Sequence, residues 1–359
     1  DSADRIVPLA DEVAGVLGRG VLTLERGRTL PDPASSEDVR LSVYLGRRQR
    51  VAGAAGYLRV CEVLHRLGFL SAEVFLGVDG TVSGQRRRAR FFSRNADVPL
   101  VVVGVGTSAQ TAGALTELRP HLSDPLITLE RIMVCKNAGR TLAEPATGSG
   151  GFLKVTVRTD EDSRYEGTPV HRALVSRLTQ TDHANGATVL RSIWGYHGAQ
   201  APHGDQLFQL VRHVPVSTVI VDTAESIAAS YPVIDELTAG HGLVTCETVP
   251  AMLAVDNGRT RGGLRHPEGP EPAGRRCASA DSIVVAVGVQ LIPAGALLTE
   301  EAGAEHVDAV AESERSIERV AARVAQEAVR RDGHGRLREK QAVSQARPVK
   351  SRVPVERER

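Results

Sequence analysis

Residues with the chemistry to bind an anion are concentrated between positions 186 and 203. Residues 186–198 read GATVLRSIWGYHG, which predicts an apolar strand that ends in a glycine-flanked aromatic loop. In such a loop an arginine can pair with phosphate through two hydrogen bonds, glycines let the backbone approach an anion, and an aromatic ring can stack on a base. The pattern predicts a ligand site that consists of Arg191, Gly195, Tyr196, His197, Gly198 and His203.

The same residues also fit a purely structural role. Trp194 and Tyr196 suit a hydrophobic core or a loop anchor, and the glycines around them suit a simple turn. Both interpretations stay open at the level of sequence. His197 and His203 have no third metal ligand near them in the sequence, so we expect no metal site.

A dense basic cluster lies in a predicted polar loop between positions 83 and 94. It contains Arg86, Arg87, Arg88 and Arg90, and Phe91 and Phe92 follow it. We interpret it as a solvated loop that docks on an acidic partner protein, because no RNP-type aromatic strand motif is present elsewhere. The alternative is nucleic-acid binding through these arginines and the basic tail, which predicts strongly salt-dependent affinity.

The composition and the motifs exclude several functional classes. With 44 basic and 43 acidic residues, the chain has no overall charge that would attract nucleic acid or a membrane. The four cysteines are far apart and form no C-x-x-C pair, which predicts reduced thiols and a cytoplasmic location. No nucleophile elbow, P-loop, dinucleotide fingerprint or carboxylate pair is present, so we predict neither catalysis nor a cofactor.

The elements that must position these residues come from an internal repeat of roughly 100 residues. The same closing strand occurs three times, as VLTLE at residues 21–25, LITLE at 126–130 and LVTCE at 243–247. Residues 39–135 and 152–250 each predict the βαββαβ order of ferredoxin-like domains. Residues 1–30 match only the back half of a copy, so we expect the sequence to begin inside a first repeat.

The remaining stretches are predicted to be linkers and a tail. Small residues dominate 136–150, and Gly, Pro and Arg dominate 257–280, so both are interpreted as linkers. The longest apolar run, residues 283–298, is shorter than the roughly 20 residues of a spanning helix and fits a strand pair or a short buried helix. Residues 256–359 are thus expected to hold a linker, an amphipathic helix at 305–331 and a disordered basic end.

The third repeat resembles the DUF190 family, which is a family of small proteins similar to the PII signalling proteins. The resemblance is carried by VTVRTDEDSRYEGTPVHRALVSRL, GATVLRSIWGYHG, HVPVSTVIVDTAESI and GLVTCETV, in this order. The second repeat keeps YLGRRQRVAG, DVPLVVV and LITLERI but lacks the arginine and the aromatic glycine loop. The resemblance implies ferredoxin-like units that assemble as a trimer with ligand clefts between them.

The resemblance also implies roles for two connecting segments. A long loop between the second and third strands would contact a partner protein, with a membrane transporter as one class of partner. In PII-like proteins the turn between the second helix and the last strand lies against nucleotide phosphates, and here that turn contains Gly240, His241 and Gly242. A helix C-cap explains these glycines equally well.

The predicted fold is α+β: tandem ferredoxin-like, PII-like repeats that form an intramolecular pseudo-trimer, with a largely disordered or helical C-terminal tail. Joining the repeats in one chain raises their effective concentration. The predicted function is binding of a small anionic effector, such as an adenine nucleotide, between repeats and modulation of a partner protein. An ACT-like module that binds amino acids has the same topology, and fold similarity does not separate these functions.

Overall fold

The computed structural model describes residues 3–17, 19–77, 79–82, 85–88, 98–122, 125–145, 151–181, 186–198, 200–204, 214–256, 259–264 and 284–290. We refer to residues 3–30 as unit one, 38–131 as unit two and 152–249 as unit three.

The helices and strands follow the chain in three groups. Unit one contains α1 (Ala3–Val16) and β1 (Arg19–Gly27). Unit two contains β2 (Asp38–Gly46), β3 (Arg50–Val51), β4 (Ala54–Ala55), α2 (Gly56–Arg66), β5 (Ser71–Leu76), β6 (Asp79–Val82), β7 (Gln85–Arg88), β8 (Pro99–Thr107), α3 (Ser108–Leu118), a 3-10 turn (Arg119–His121) and β9 (Leu126–Arg131). A hairpin of β10 (Met133–Asn137) and β11 (Arg140–Thr141) follows it.

Unit three contains β12 (Phe152–Asp160), β13 (Arg164–Tyr165), β14 (Thr168–Pro169), α4 (Val170–Thr181), β15 (Ala187–Arg191), β16 (Trp194–His197), β17 (His203–Gly204), β18 (Pro215–Thr223), α5 (Ala224–Leu237) and β19 (Leu243–Val249). After it come β20 (Ala251–Asp256), β21 (Arg259–Gly263) and β22 (Val284–Gln290).

Units two and three have the same sheet order. The strands lie in the order β9, β2, β8, β5 in unit two and β19, β12, β18, β15 in unit three, and all neighbours are antiparallel. Within each βαββαβ unit this is the order fourth, first, third, second. The mixed α+β class that the sequence predicted is confirmed.

Alternating apolar residues give each sheet one face for its helices. In β2, Leu41, Val43 and Leu45 are at most 3% exposed and pack in one core with Val60 and Leu64 of α2. The two helical residues are four positions apart, so they lie on one face of α2. The predicted strand and helix periods are both confirmed here.

The opposite face of the first and last strands carries a buried charge cluster. Its members are Glu25, Arg40, Glu130, Lys154 and Glu247, each at most 17% exposed. Arg40 contacts Glu25 at 2.7 Å, Glu130 at 3.0 Å and Glu247 at 3.5 Å. Lys154 contacts Glu25 at 2.7 Å and Glu247 at 2.8 Å. The three glutamates are the last residues of the three repeated closing segments, so this cluster joins all three units.

The residues that follow each closing strand pair with the closing strand of another unit. The connections run from unit one to two, from two to three and from three to one, and their backbone pairs are Arg28–Leu129, Met133–Cys246 and Ala251–Leu24. The partner in each pair is the fourth residue of a closing segment. Equivalent positions of the repeats are therefore used three times in the same way.

Two of the predicted linkers are partly structured because of these connections. Residues 136–141 belong to the hairpin of β10 and β11, which pairs with β19, rather than to a flexible linker. Residues 259–263 form β21, which pairs with β20. Small-residue composition predicted flexibility, but the open edge of a neighbouring sheet supplies hydrogen-bond partners that composition does not reveal.

The apolar run at 283–298 contributes a strand to unit one. β22 pairs with β1 in antiparallel register, with Ala286 opposite Glu25. The first strands of the other units pair in the same way, with Arg40 opposite Glu130 and Lys154 opposite Glu247. β22 thus occupies the position of a first strand in unit one, which agrees with the strand interpretation of this run.

The predicted helix at 305–331 and the tail at 332–359 lie outside the described residues. Among the helices that the structure describes, none is long and apolar enough to cross a membrane.

Removing residues 265–359 deletes β22 and takes away the strand that covers one edge of β1. We expect amide hydrogen exchange at residues 21–27 to become about tenfold faster or more, because local stability falls when an edge loses its partner. Hydrogen-exchange mass spectrometry checks this. A chain that ends at residue 290 keeps β22 and is the control; equal protection in the two truncations would contradict the role of β22.

Arg40→Met leaves the buried charge cluster with three carboxylates and one cation. We expect the free energy of unfolding to fall by about 3–5 kcal/mol, because unpaired buried charges are strongly destabilising. Urea denaturation measures the change. Arg59→Met, which removes an exposed pair with Glu62, is the control and should change stability little. Similar losses in both variants would show that burial of the cluster is unimportant.

Acidification should also weaken the cluster. Burial alone would raise the pKa of Glu25, but Lys154 and Arg40 lower it from 4.5 to about 2. Because the pKa in the folded state is below that in the unfolded state, the carboxylate stabilises the fold above pH 4.5, and this contribution is lost as the pH falls towards 2. Thermal unfolding over this pH range should show a smaller decline for Glu25→Gln than for the unchanged protein; parallel curves would rule out this contribution.

Candidate ligand site between units two and three

The predicted aromatic loop is a strand that crosses from unit three to unit two. β15 pairs with β18 as far as Arg191, and β16 then pairs with β5 of unit two from Trp194 to His197. Gly195 makes the exchange feasible, because its φ is +154° and a Cβ atom there would lie 2.3 Å from the carbonyl oxygen of Ala72. The loop prediction is therefore wrong for residues 194–197, where backbone pairing with the neighbouring unit decides the conformation.

The exchanged strand places its aromatic residues against the core of unit two. Tyr196 is 0% exposed, its ring meets that of His65 edge-on at 4.8 Å, and its hydroxyl donates a 3.4 Å hydrogen bond to the carbonyl of Phe69. Burial raises the pKa of Tyr196. Trp194 packs on the same core. Of the two interpretations, the structural one holds for Tyr196, whose buried ring is closed to stacking on a ligand.

The polar residues of the predicted site meet at the end of β12. Arg191 donates from Nε to Glu161 at 2.9 Å, and Nε2 of His197 lies 2.9 Å from Oδ1 of Asp160. We call the five residues Asp160, Glu161, Arg191, His197 and His203 the seam site, because they lie where the chain crosses between units.

The electrostatics of the seam site are dominated by mutual pairing. Burial alone would raise the pKa of Asp160, but its contact with His197, a 3.2 Å hydrogen bond from Gln200 and the charge of His203 lower it below its ordinary value. Nδ1 of His203 lies 2.8 Å from the carbonyl oxygen of Ala201. Both the Arg191 and Glu161 side chains are about one-third exposed, so solvent and small solutes reach this ion pair.

The glycines of the predicted site lie near the same strand end. Gly198, with φ +65°, ends the exchanged strand and donates its backbone N–H to the carbonyl of Leu70 at 2.8 Å. Gly242, with φ +98°, lies against Arg158, since a Cβ atom there would be 3.1 Å from the carbonyl oxygen of that residue. Gly240 faces open space. The two predicted parts of the site therefore approach one end of β12.

A buried ion pair fixes unit three on unit two beneath the seam site. Arg158 donates from Nε to Glu73 at 2.8 Å and from Nη1 to the hydroxyl of Thr245 at 2.9 Å, and Ser217 donates to Glu73 at 2.6 Å. The Arg158 and Glu73 side chains are 3% and 1% exposed. Because both charges are buried and paired across units, separating the units would leave each without its partner.

The basic cluster lies partly in a hairpin rather than in a loop. Arg86, Arg87 and Arg88 belong to β7, which pairs with β6 in a register that sets Val82 opposite Gln85. Arg90 lies outside the described residues.

Three features of the structure escaped the sequence prediction. They are the acidic end of β12 at Asp160 and Glu161, the ion pair of Arg158 and Glu73, and a cavity of about 330 Å³ lined by Arg47, Arg48, Arg50 and Ala55. A charged residue inside an otherwise apolar strand, such as Glu73 in SAEVFL, is a sequence signal that could have indicated the buried ion pair. In the ranges that the structure describes, no three His, Cys, Asp or Glu side chains are grouped so as to hold a metal ion.

Two of the known proteins to which this chain is similar illustrate the range of the similarity. A UPF0166 protein of Aquifex aeolicus (strain VF5) is 36% identical over 95 residues, which cover 26% of this chain and 87% of that protein. A crystal structure of an unknown protein from Galdieria sulphuraria aligns with 59% of this chain and 98% of its own, at 10% identity and a TM-score of 0.19.

The family assignment rests on two separate regions. The family model DUF190, whose description is "Uncharacterized ACR", matches residues 38–134 and 152–251. These regions are the two complete repeats, and together they make up more than half of the 359 residues. The chain therefore belongs to the DUF190 family.

Proposed function

We propose that this protein is a PII-like regulatory protein that binds a small anionic effector, of the adenine nucleotide type, at the seam site and modulates a partner protein. The observation that carries the proposal is the exchanged strand, which sets Arg191, His197 and His203 at the junction of two units. The protein acts in this proposal by binding and not by catalysis.

The proposal includes a ferredoxin-like unit and an intramolecular pseudo-trimer. The strand order fourth, first, third, second in units two and three supports the first. Three equivalent connections, from each unit to the next, support the second, as does a charge cluster built from all three closing strands.

Effector binding at the seam site would work by exchange of ion-pair partners. A phosphate oxygen is an alternative acceptor for the Arg191 guanidinium, which now donates to Glu161. The imidazole N–H groups of His197 and His203 would be further hydrogen-bond donors beside the phosphate. Because β16 begins three residues after Arg191, a change of partner at Arg191 would be transmitted to the exchanged strand and to the segment that follows Gly198.

Partner binding in this proposal uses the segments that leave the sheet edges. The chain after residue 204 and the hairpin that carries Arg86, Arg87 and Arg88 are the corresponding second-to-third-strand segments of the two complete units. An acidic surface of a partner protein, including the cytoplasmic face of a membrane transporter, is the chemistry that these arginines suit.

Calorimetric titration with ATP, ADP, AMP and cyclic AMP tests the effector. We expect saturable binding of at least one nucleotide, weakened about tenfold or more in Arg191→Gln, because one charge-assisted pair to phosphate is lost. Arg177→Gln is the matched control: Arg177 makes a similar 2.8 Å ion pair with Glu236 and is likewise partly exposed, but on the helical face. Binding should be unchanged in that variant.

Two results would overturn the effector assignment. The absence of binding to all four nucleotides, together with saturable binding of an amino acid from a panel, would favour an ACT-like metabolite-binding function. Nucleotide binding that Arg191→Gln leaves intact would move the site away from the seam.

A further inference from the structure

The turn after β2 in unit two has the same backbone as the turn after β12 in unit three. Equivalent hydrogen bonds close both turns: Gln49 N to Gly46 O (2.9 Å) and Gly56 N to Gln49 O (2.7 Å) in unit two, and Ser163 N to Asp160 O (3.0 Å) and Val170 N to Ser163 O (2.9 Å) in unit three. Arg50 and Arg164 even donate to the same backbone position, the carbonyl of the glycine three residues later.

The side-chain charges of the two turns are inverted. Unit two has Gly46, Arg47 and Arg48 where unit three has Asp160, Glu161 and Asp162. In unit three these carboxylates hold Arg191 and His197. Leu76 occupies in unit two the strand position that Arg191 occupies in unit three. Arg191 pairs with Val216 and Leu76 pairs with Leu100, and each of these partners is the second residue of the third strand of its own unit. Unit two therefore has no second-strand arginine that its turn could bind. The turn itself carries two arginines at the positions where the turn of unit three carries two carboxylates.

The arginines of this turn line an open cavity. Arg47, Arg48, Arg50 and Ala55 surround a volume of about 330 Å³, which is within the range of small-ligand sites. Arg47 is partly exposed, and Arg48 and Arg50 are exposed. At the equivalent positions the turn of unit three has one arginine, Arg164, and two carboxylates, Glu161 and Asp162.

The start of helix α2 beside this turn also favours an anion. Helix α2 begins at Gly56, directly after Ala55, which supplies no side-chain cap, and its first turn contains no acidic residue. The positive end of its dipole therefore lies next to the turn, while the Gly56 N–H itself is bonded to the carbonyl of Gln49.

We propose that this cavity is an anion site for a phosphate chain, meaning a small molecule with two or more adjacent phosphate groups. Guanidinium groups bind phosphate oxygens in pairs, so three of them around one cavity match several linked phosphates better than a single carboxylate. The site belongs to unit two alone and shares no residue with the seam site. It is therefore independent of the proposed function.

Inorganic tripolyphosphate, titrated calorimetrically into the full chain, tests this site. We expect saturable binding that becomes about tenfold weaker in Arg48→Gln and in Arg50→Gln, because each removes a charge-assisted contact. Arg164→Gln is the matched control, because it loses the same hydrogen bond to a glycine carbonyl in a turn of the same shape. It should bind as the unchanged protein does, and circular dichroism confirms that all variants are folded.

Three outcomes would overturn the site. The first is the absence of saturable tripolyphosphate binding by the full chain. The second is an equal loss in Arg50→Gln and Arg164→Gln, which would indicate a general effect of turn stability. The third is binding that survives in Arg48→Gln and Arg50→Gln but is lost in Arg191→Gln, which would assign the phosphates to the seam site instead.

Discussion

Five buried charges at the meeting point of the three units constrain the rest of the structure. The three closing strands contribute Glu25, Glu130 and Glu247, whereas the cations Arg40 and Lys154 come from the first strands of units two and three. Burial alone would lower the pKa of Arg40, but the surrounding carboxylates raise it. Since a buried charge is tolerated only with its partners in place, no unit can leave the group without a large penalty. The cluster thus fixes the arrangement in which the strand exchange takes place.

The second buried pair, Arg158 with Glu73, extends this constraint to the seam. Glu73 lies in β5, the strand that accepts residues 194–197 from unit three, and it faces Gly195 across the pairing. The exchanged strand is therefore held by backbone hydrogen bonds on one side and by a buried ion pair beside it. At the outer end, the ion pair of Arg191 and Glu161 is about one-third exposed to solvent. A solute that competes for Arg191 meets the network at its exposed end.

The sequence patterns correctly predicted those elements that depend on residues close together in the chain. The alternation of Leu41, Val43 and Leu45 and the spacing of Val60 and Leu64 specify a half-buried strand and an amphipathic helix, and the structure has both. The crossing of Trp194 onto another sheet has no such local signal, because its pairing partner Val74 is far away in the sequence. The same holds for the charge cluster: the repeated glutamate was visible, but its cations come from other strands, such as Arg40, 90 positions before Glu130. For the candidate site, the sequence placed Arg191 and His197 in one region, and the structure brings both to the end of β12, but the sequence did not reveal Glu161 and Asp160, which hold them.

Covalent linkage of the units also allows their sites to become unequal. In a ring of identical subunits, a turn that carries Asp160 and Glu161 would be repeated in every subunit, and so would the exchanged strand that it holds. In this chain the same backbone turn occurs with Arg47 and Arg48, and the equivalent of Arg191 is Leu76. Backbone hydrogen bonds define the shape of the turn in both units. Side chains of opposite charge can therefore occupy its equivalent positions without changing that shape. In unit three the turn holds the contact between units, whereas in unit two it carries the arginines of the proposed anion site.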